Sequence, residues 1–163
     1  MRKKRDETAG QGGLFAAEPA ATTGNSLPLR LIAVARQVER VVVRRLRTVH
    51  DLSLAEWLVL QALDQNSAAS VRDLGPMTGL DAVAISRAAA RLADRKLVRK
   101  TGNRDDRRLI VLTPNKAGRQ LAESVARDLQ QLDAPLLKGL GVQDRIRFGQ
   151  MLGVIAASAA QSP

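Results

Sequence analysis

The 163-residue sequence predicts a mainly α-helical domain carrying one small β-hairpin. Three observations predict it. Apolar residues recur at the three- and four-residue steps of a helix through most of residues 27–160. Two short helical stretches are parted by three residues that include Gly79. Only Leu97–Lys100 and Leu109–Leu112 read as strands, and the polar stretch between them, Thr101 to Arg108, holds the turn formers Gly102 and Asn103.

Residues 1–26 are rich in Gly, Ala, Thr and Pro without periodicity and read as a flexible N-terminal arm, basic at Arg2–Arg5. The folded domain then covers 27–163. Its first helix, 27–49, sets Leu31, Val34, Val38, Val41 and Val42 on one side and Arg36, Arg40, Arg44 and Arg47 on another. Ser53 with Glu56 forms a capping-box signal, and Leu52 with Trp57 sits where a hydrophobic staple would close. The helix that follows is apolar nearly all round at Leu54, Leu58, Leu60 and Leu63, so it should be central, with Trp57 a core residue.

Ser70 can cap a short helix through about Thr78 that turns Val71 and Leu74 inward, and Gly79 is its stop signal. Pro76 lies inside this helix, where it removes a hydrogen bond and introduces a kink. Asp81 can cap the next helix, from Ala82 to about Lys96, whose inner face is Ile85, Ala88, Ala89 and Leu92. Together the two make a helix-turn-helix. After the hairpin, either Thr113-Pro114 or Asn115 starts a helix to about Asp133. A last helix spans about Gln143 to Ala160, with Ile146, Met151, Leu152 and Ile155 on a stripe.

Composition narrows the function. The net charge is +10, and the first 26 residues contribute only +1 of it, so +9 belongs to the folded body. A polyanion is its natural partner, nucleic acid or an anionic membrane surface. No apolar run approaches the ~18 residues of a membrane span, and no apolar stretch of a secretory signal follows the basic start. A cytoplasmic protein is expected. The sequence has no cysteine, which excludes disulfides, thiolate zinc sites and thiol redox switches, and with His50 as the sole histidine no metal site is expected. No nucleophile–base pair is visible, so the chain does not read as an enzyme and no cofactor is expected.

The window Arg87–Arg108 holds nine basic and three acidic residues, a local net of +6, and coincides with the second helix of the pair and the hairpin. A helix presenting Val83, Ser86, Arg87, Ala90 and Arg91 outward fits a major groove. Small side chains permit close approach, Arg87 can bond guanine, and Val83 can meet a thymine methyl. Ser70 and Arg72, at the start of the preceding helix, complete that set of DNA-contact candidates. In the hairpin, Arg104, Arg107 and Arg108 can reach phosphates or a narrow minor groove. Asp105 or Asp106 can hold one of these arginines in place before DNA arrives.

At these residues the chain resembles the MarR family of winged helix-turn-helix regulators. The stretch that carries the likeness runs from Leu80 to Gly118, LDAVAISRAAARLADRKLVRKTGNRDDRRLIVLTPNKAG, and the likeness extends over about Leu29 to Ile155. The family's Asp-x-Arg wing motif fits in two registers. Counting back from Thr113 gives Asp105 and Arg107. Counting back from Gly118, with Asn115 in the place of the family's Thr, gives Asp106 and Arg108 and needs no gap. Pro76 departs from the family pattern.

The resemblance implies a winged helix-turn-helix with flanking dimerisation helices at 27–49 and 140–160, a DNA-binding lobe at 52–113 and a linking helix at 114–134. It implies a homodimer that reads a palindromic operator in double-stranded DNA, and a repressor released by a small anionic or phenolic effector. Arg36, Arg40, His50 and Trp57 are the effector-contact candidates. Dimerisation is also expected from the residues alone, since the apolar stripes of the first and last helices exceed what one small lobe can bury. Two readings compete: a winged-helix module that docks a partner protein, and a membrane-surface role for residues 27–49.

Overall fold

Ser53 starts the helix around which the rest assembles. The Glu56 backbone N–H donates to Ser53 Oγ, and the Ser53 N–H donates to Glu56 Oε2 at 2.7 Å. This closes the expected capping box at the head of a 13-residue helix, and Trp57, 5% exposed, joins the core as its sequence position predicts. The computed structural model describes residues 26–102 and 110–161. The arm and the tip of the hairpin, with Arg104, Asp105, Asp106, Arg107 and Arg108, lie outside the described residues.

In chain order the elements are α1 (Leu27–His50), α2 (Leu54–Asn66), β1 (Ala69–Ser70), α3 (Val71–Thr78), α4 (Ala82–Asp94), β2 (Val98–Gly102), β3 (Ile110–Pro114), α5 (Lys116–Gln130), α6 (Asp133–Leu136) and α7 (Val142–Gln161). The chain divides into two compact units. One is Gln37–Leu136; the other joins the residues up to Arg36 with those from Leu137 onward.

In the larger unit, α2 packs against α3, α4 and α5. Leu46, Leu52, Leu60, Leu63, Leu74, Ile85, Leu92 and Leu112 are fully buried and belong to one core. The inner face of α4 is the expected one: Ile85, Ala88, Ala89 and Leu92 are all buried. Burying each such aliphatic side chain stabilises the fold by about 1.5–3 kcal/mol, which is what holds two helices as short as α3 and α4 in place.

The sheet has three antiparallel strands in the order β1-β3-β2. The hairpin pair β2–β3 is the expected one, displaced by one or two residues, with Gly102 inside β2 and paired with Ile110 rather than in the turn. Strand β1 is unforeseen. It is only two residues long, Ala69 opposite Leu112 and Ser70 opposite Val111, so it carries no alternation to detect. Ser70 is both the last residue of β1 and the cap of α3.

Two helix ends differ from the sequence reading, each for a physical reason, and one of two open starts is chosen. Helix α4 stops at Asp94, because Lys96 turns left-handed at φ 55° and the N–H groups of Lys96 and Leu97 fold back onto the carbonyls of Ala93 and Leu92. Of the two starts open for α5, the structure uses Asn115, and Pro114 closes β3. Helix α5 stops at Gln130 and a separate turn, α6, follows; Pro135 has no N–H to return to the carbonyl of Gln131. Pro76 does lie inside α3, and the helix runs on past it to Thr78 before Gly79 ends it at φ 69°.

In the smaller unit, α7 is a 20-residue helix with no buried residue. Val142, Ile146, Phe148, Met151, Leu152, Val154 and Ile155 on it are all exposed, as are Leu27, Leu29, Ile32 and Val34 at the start of α1.

Candidate nucleic-acid interface

Helix α3 is held at its start by a second capping box. The Asp73 N–H donates to Ser70 Oγ, while Ser70 gives both its N–H and its hydroxyl to Asp73 Oδ2, the latter at 2.7 Å. These Ser70 bonds keep the Asp73 carboxyl below the usual carboxylate range. The buried Ser70 side chain is thus engaged within the protein, whereas Arg72, two residues on, is exposed. At the other end Gly79 adopts the left-handed conformation and donates its N–H to the Gly75 carbonyl. Two residues later Asp81 Oδ1 accepts the Ala84 N–H at 2.7 Å and starts α4.

That turn sets which face of α4 looks outward. With Ile85, Ala88, Ala89 and Leu92 in the core, Val83, Ser86 and Arg87 are exposed and Ala90 is half-buried beside them. Val83 is 58% exposed. Arg91 lies at the flank of this face. Its Nη1 is 4.0 Å from Glu56 Oε1, and it lines an open cleft of about 540 Å³ with Arg47, Asp51, Leu52, Ser53, Glu56, Asp94 and Arg95.

The base of the hairpin is fixed from three sides. The Asn115 N–H donates to the Leu97 carbonyl at 3.1 Å, Asn115 Nδ2 donates to the Lys96 carbonyl, and Asn115 Oδ1 accepts the Gly118 N–H at 2.9 Å. Gly118 is required there, because a Cβ on it would lie 2.2 Å from the Leu97 carbonyl oxygen. Arg95 completes the corner by donating Nη1 to the Asp51 carbonyl at 2.6 Å, past the end of α1.

Three of the four effector-contact candidates, Arg36, Arg40 and His50, lie on α1, and Trp57 lies on α2. Trp57 is in the core, His50 Nε2 donates to Asp128 Oδ2 at 3.0 Å, and Arg36 and Arg40 are exposed. None of them lines the cleft beside Arg91. Among the described residues no group of three His, Asp or Glu side chains could hold a metal ion, and no helix is long and apolar enough to cross a membrane.

A helix pair with a tight capped turn, followed by a β-hairpin, is the arrangement of a winged helix-turn-helix. The model of the MarR family matches residues 50–109, the segment that holds α2 to α4 and the first wing strand. Residues 50–109 are thus similar to the DNA-binding segment of MarR-family regulators, and the chain has the winged fold that the sequence predicts. An HTH-type transcriptional regulator of Bacillus subtilis (strain 168), YxaD, is 28% identical over 102 residues, 63% of this chain and 71% of that protein. Among solved structures, Bordetella bronchiseptica BpsR, described for the regulation of its DNA binding by 6-hydroxynicotinic acid, superposes with a TM-score of 0.69 at 25% identity. The match covers 78% of this chain and 96% of BpsR. A mutant MarR of E. coli, in complex with operator DNA, has the same fold with a TM-score of 0.69 at 23% identity, over 79% of this chain and 94% of that one.

Asn115, Gly118 and Arg95 are the residues of this lobe that sequence reasoning did not connect with the interface. Asn115 was visible as a helix cap, but its second role depends on the carbonyl of Lys96, 19 positions away. Only contact across the fold brings the two together.

Proposed function

We propose that this chain is a MarR-family regulator, a cytoplasmic homodimeric repressor that reads a palindromic operator and is released by a small-molecule effector. The observation that carries the DNA reading is the outward face of α4: Val83, Ser86 and Arg87 exposed, with Ala90 between them, behind a turn closed by Gly79 and Asp81. In this reading Arg87 addresses guanine O6 and N7, Val83 packs on a thymine methyl, and Ser86 and Ala90 permit the close approach. Arg72 binds a phosphate beside the groove, and Arg104, Arg107 and Arg108 of the wing reach the adjacent backbone or minor groove. Asp105 or Asp106 orients one of those arginines.

Dimerisation is supported by α7, which buries nothing within its own chain while carrying seven large exposed apolar side chains. Covering such residues against a second copy gains about 1.5–3 kcal/mol for each one fully buried. A two-fold axis through such an interface makes the two DNA-reading faces equivalent, hence a palindrome. The likeness to BpsR, whose DNA binding 6-hydroxynicotinic acid regulates, supports an effector of the small anionic or phenolic class.

The test is selection of bound fragments from the genome of origin, followed by footprinting and light scattering. The expected result is a preferred site with two protected half-sites about one helical turn apart, ~34–36 Å, bound by a particle of twice the 17.6 kDa chain mass. A chain that prefers no duplex in dilute salt refutes the DNA reading. A particle of single mass on DNA refutes the dimer.

A further inference from the structure

The joint between α4 and the wing is three residues long, Arg95 to Leu97, and Asn115 from the start of α5 binds two of them. We propose that Asn115 is a positioning residue for DNA reading, which locks the major-groove helix against the wing by binding the backbone carbonyls of Lys96 and Leu97 in the joint. This rests on the assignment of α4 and the hairpin as the DNA-reading elements.

The geometry is specific to asparagine. Its backbone N–H donates to the Leu97 carbonyl at 3.1 Å, and its side-chain Nδ2 donates to the Lys96 carbonyl. Its side-chain oxygen is occupied on the other side, accepting the Gly118 N–H at 2.9 Å to start α5. One planar amide thus serves as acceptor for the cap and donor for the joint. Aspartate keeps the shape and the acceptor but has no N–H. Serine caps equally well, but its single oxygen lies one bond closer to the backbone.

The N–H groups of Lys96 and Leu97 return to the carbonyls of Ala93 and Leu92, so it is the carbonyl side of the joint that Asn115 holds. Lys96 sits at φ 55°, a left-handed conformation that a non-glycine residue adopts only when its surroundings hold it there. Val98, the next residue after the joint, already pairs with Pro114 in the sheet. A rotation at Lys96 therefore swings the whole wing relative to α4. The Leu97 carbonyl is also pressed against the Gly118 backbone, so α5 closes the third side. Correct reading of a site requires helix and wing to meet the duplex in one fixed relation. Binding through phosphates alone tolerates some misalignment.

The test compares wild type, N115D and N115S by two readouts. The first is the ratio of affinities for a duplex selected by the wild-type protein and for its scrambled sequence at one salt concentration. The second is amide hydrogen exchange in the free protein at Leu97–Thr101. N115D should keep its α5 cap, lose about three- to tenfold in the affinity ratio, as one lost hydrogen bond implies, and exchange faster at Leu97–Thr101. N115S should lose a similar amount, which excludes the aspartate charge as the cause. Unchanged exchange in both variants refutes the clamp. Faster exchange with an unchanged affinity ratio confines Asn115 to a structural role and refutes its part in reading. A wild-type chain that prefers no duplex refutes the DNA assignment itself, and the exchange rates then decide the clamp separately.

Discussion

Arg45 of α1 and Asp128 of α5 form a two-pronged ion pair across 83 positions of sequence. Arg45 Nε lies 3.0 and 2.8 Å from the two carboxylate oxygens, and Arg45 Nη2 bonds Oδ1 as well. His50 Nε2 reaches Oδ2 of the same carboxylate at 3.0 Å. One acidic side chain thus fastens the last turns of α1 to the C-terminal half of α5, beside a core that ends at Leu46 and Val125.

This pair makes a prediction about acid. Hydrogen bonding from Arg45 holds the Asp128 carboxyl below the usual carboxylate range; partial burial opposes that shift and the His50 bond reinforces it. A carboxyl with a depressed folded pKa stabilises the fold above its unfolded value, about 3.9, and loses that contribution as pH falls through the lower folded value. The stability advantage of wild type over D128N should therefore be constant above about pH 5 and shrink below about pH 4. Urea unfolding at pH 7, 5, 4 and 3 checks it. An advantage independent of pH would show that Asp128 acts by shape, without its charge.

G118A should destabilise the lobe. In an open helix the change would gain up to about 1 kcal/mol, from helix propensity. Here the new Cβ would stand 2.2 Å from the Leu97 carbonyl oxygen and 3.2 Å from its carbon, and backbone atoms cannot step aside as a flexible side chain can. A net loss of about 1–3 kcal/mol is expected, the range of overpacked sites. It should lower the urea midpoint with no change in slope.

Substitutions in α4 and the wing should separate sequence reading from phosphate binding. R87A should relax preference at one base pair by about 1–3 kcal/mol. R91A should do less to preference, because Arg91 leans from the flank of the helix toward Glu56. Alanine at Arg107 and Arg108 together should weaken binding to all duplexes and flatten the log–log salt slope by ~0.9 for each lost phosphate contact. Binding titrations over a salt series on selected and scrambled duplexes distinguish these outcomes. If the wing pair leaves affinity and slope untouched, the hairpin is not a DNA contact.

Removal of residues 140–163 takes away α7 and its exposed apolar face. The shortened chain should be monomeric or aggregate, and should lose specific DNA binding while α2 to α5 remain folded, since none of their buried residues belongs to α7. Light scattering with circular dichroism reads both. A truncated protein that still dimerises and protects a palindrome places the interface elsewhere.

Much of the fold was legible because its signals are local. Ser53 with Glu56, Ser70 at the start of α3, Gly79 and Asp81 each act over two to four residues, and every one of them does in the structure what its type and position predict. The buried stripe of α4 was legible for a similar reason, as periodicity needs only a few turns. What stayed hidden depends on distance or on an uncommon conformation. Lys96 carries no glycine-like sign that it will turn left-handed, so α4 read two residues too long. The partners of Asp128 stand 83 and 78 positions away, too far for any local pattern to join Arg45 and His50 to it. The neighbour of Arg91 was hidden in the same way, since a helical wheel does not reveal that Glu56, nearly buried on another helix, lies to one side.

Ser70 belongs to both the sheet and α3, with no intervening residue. The chain has no slack at this junction. Inserting a single residue would rotate everything after it by about 100° around the α3 axis, or else pull Ala69 out of register with Leu112. Relatives of this lobe can diverge freely in which residues they use here, but a gain or loss of length at this link would misdirect the reading face, so it is a place where drift should proceed by replacement alone.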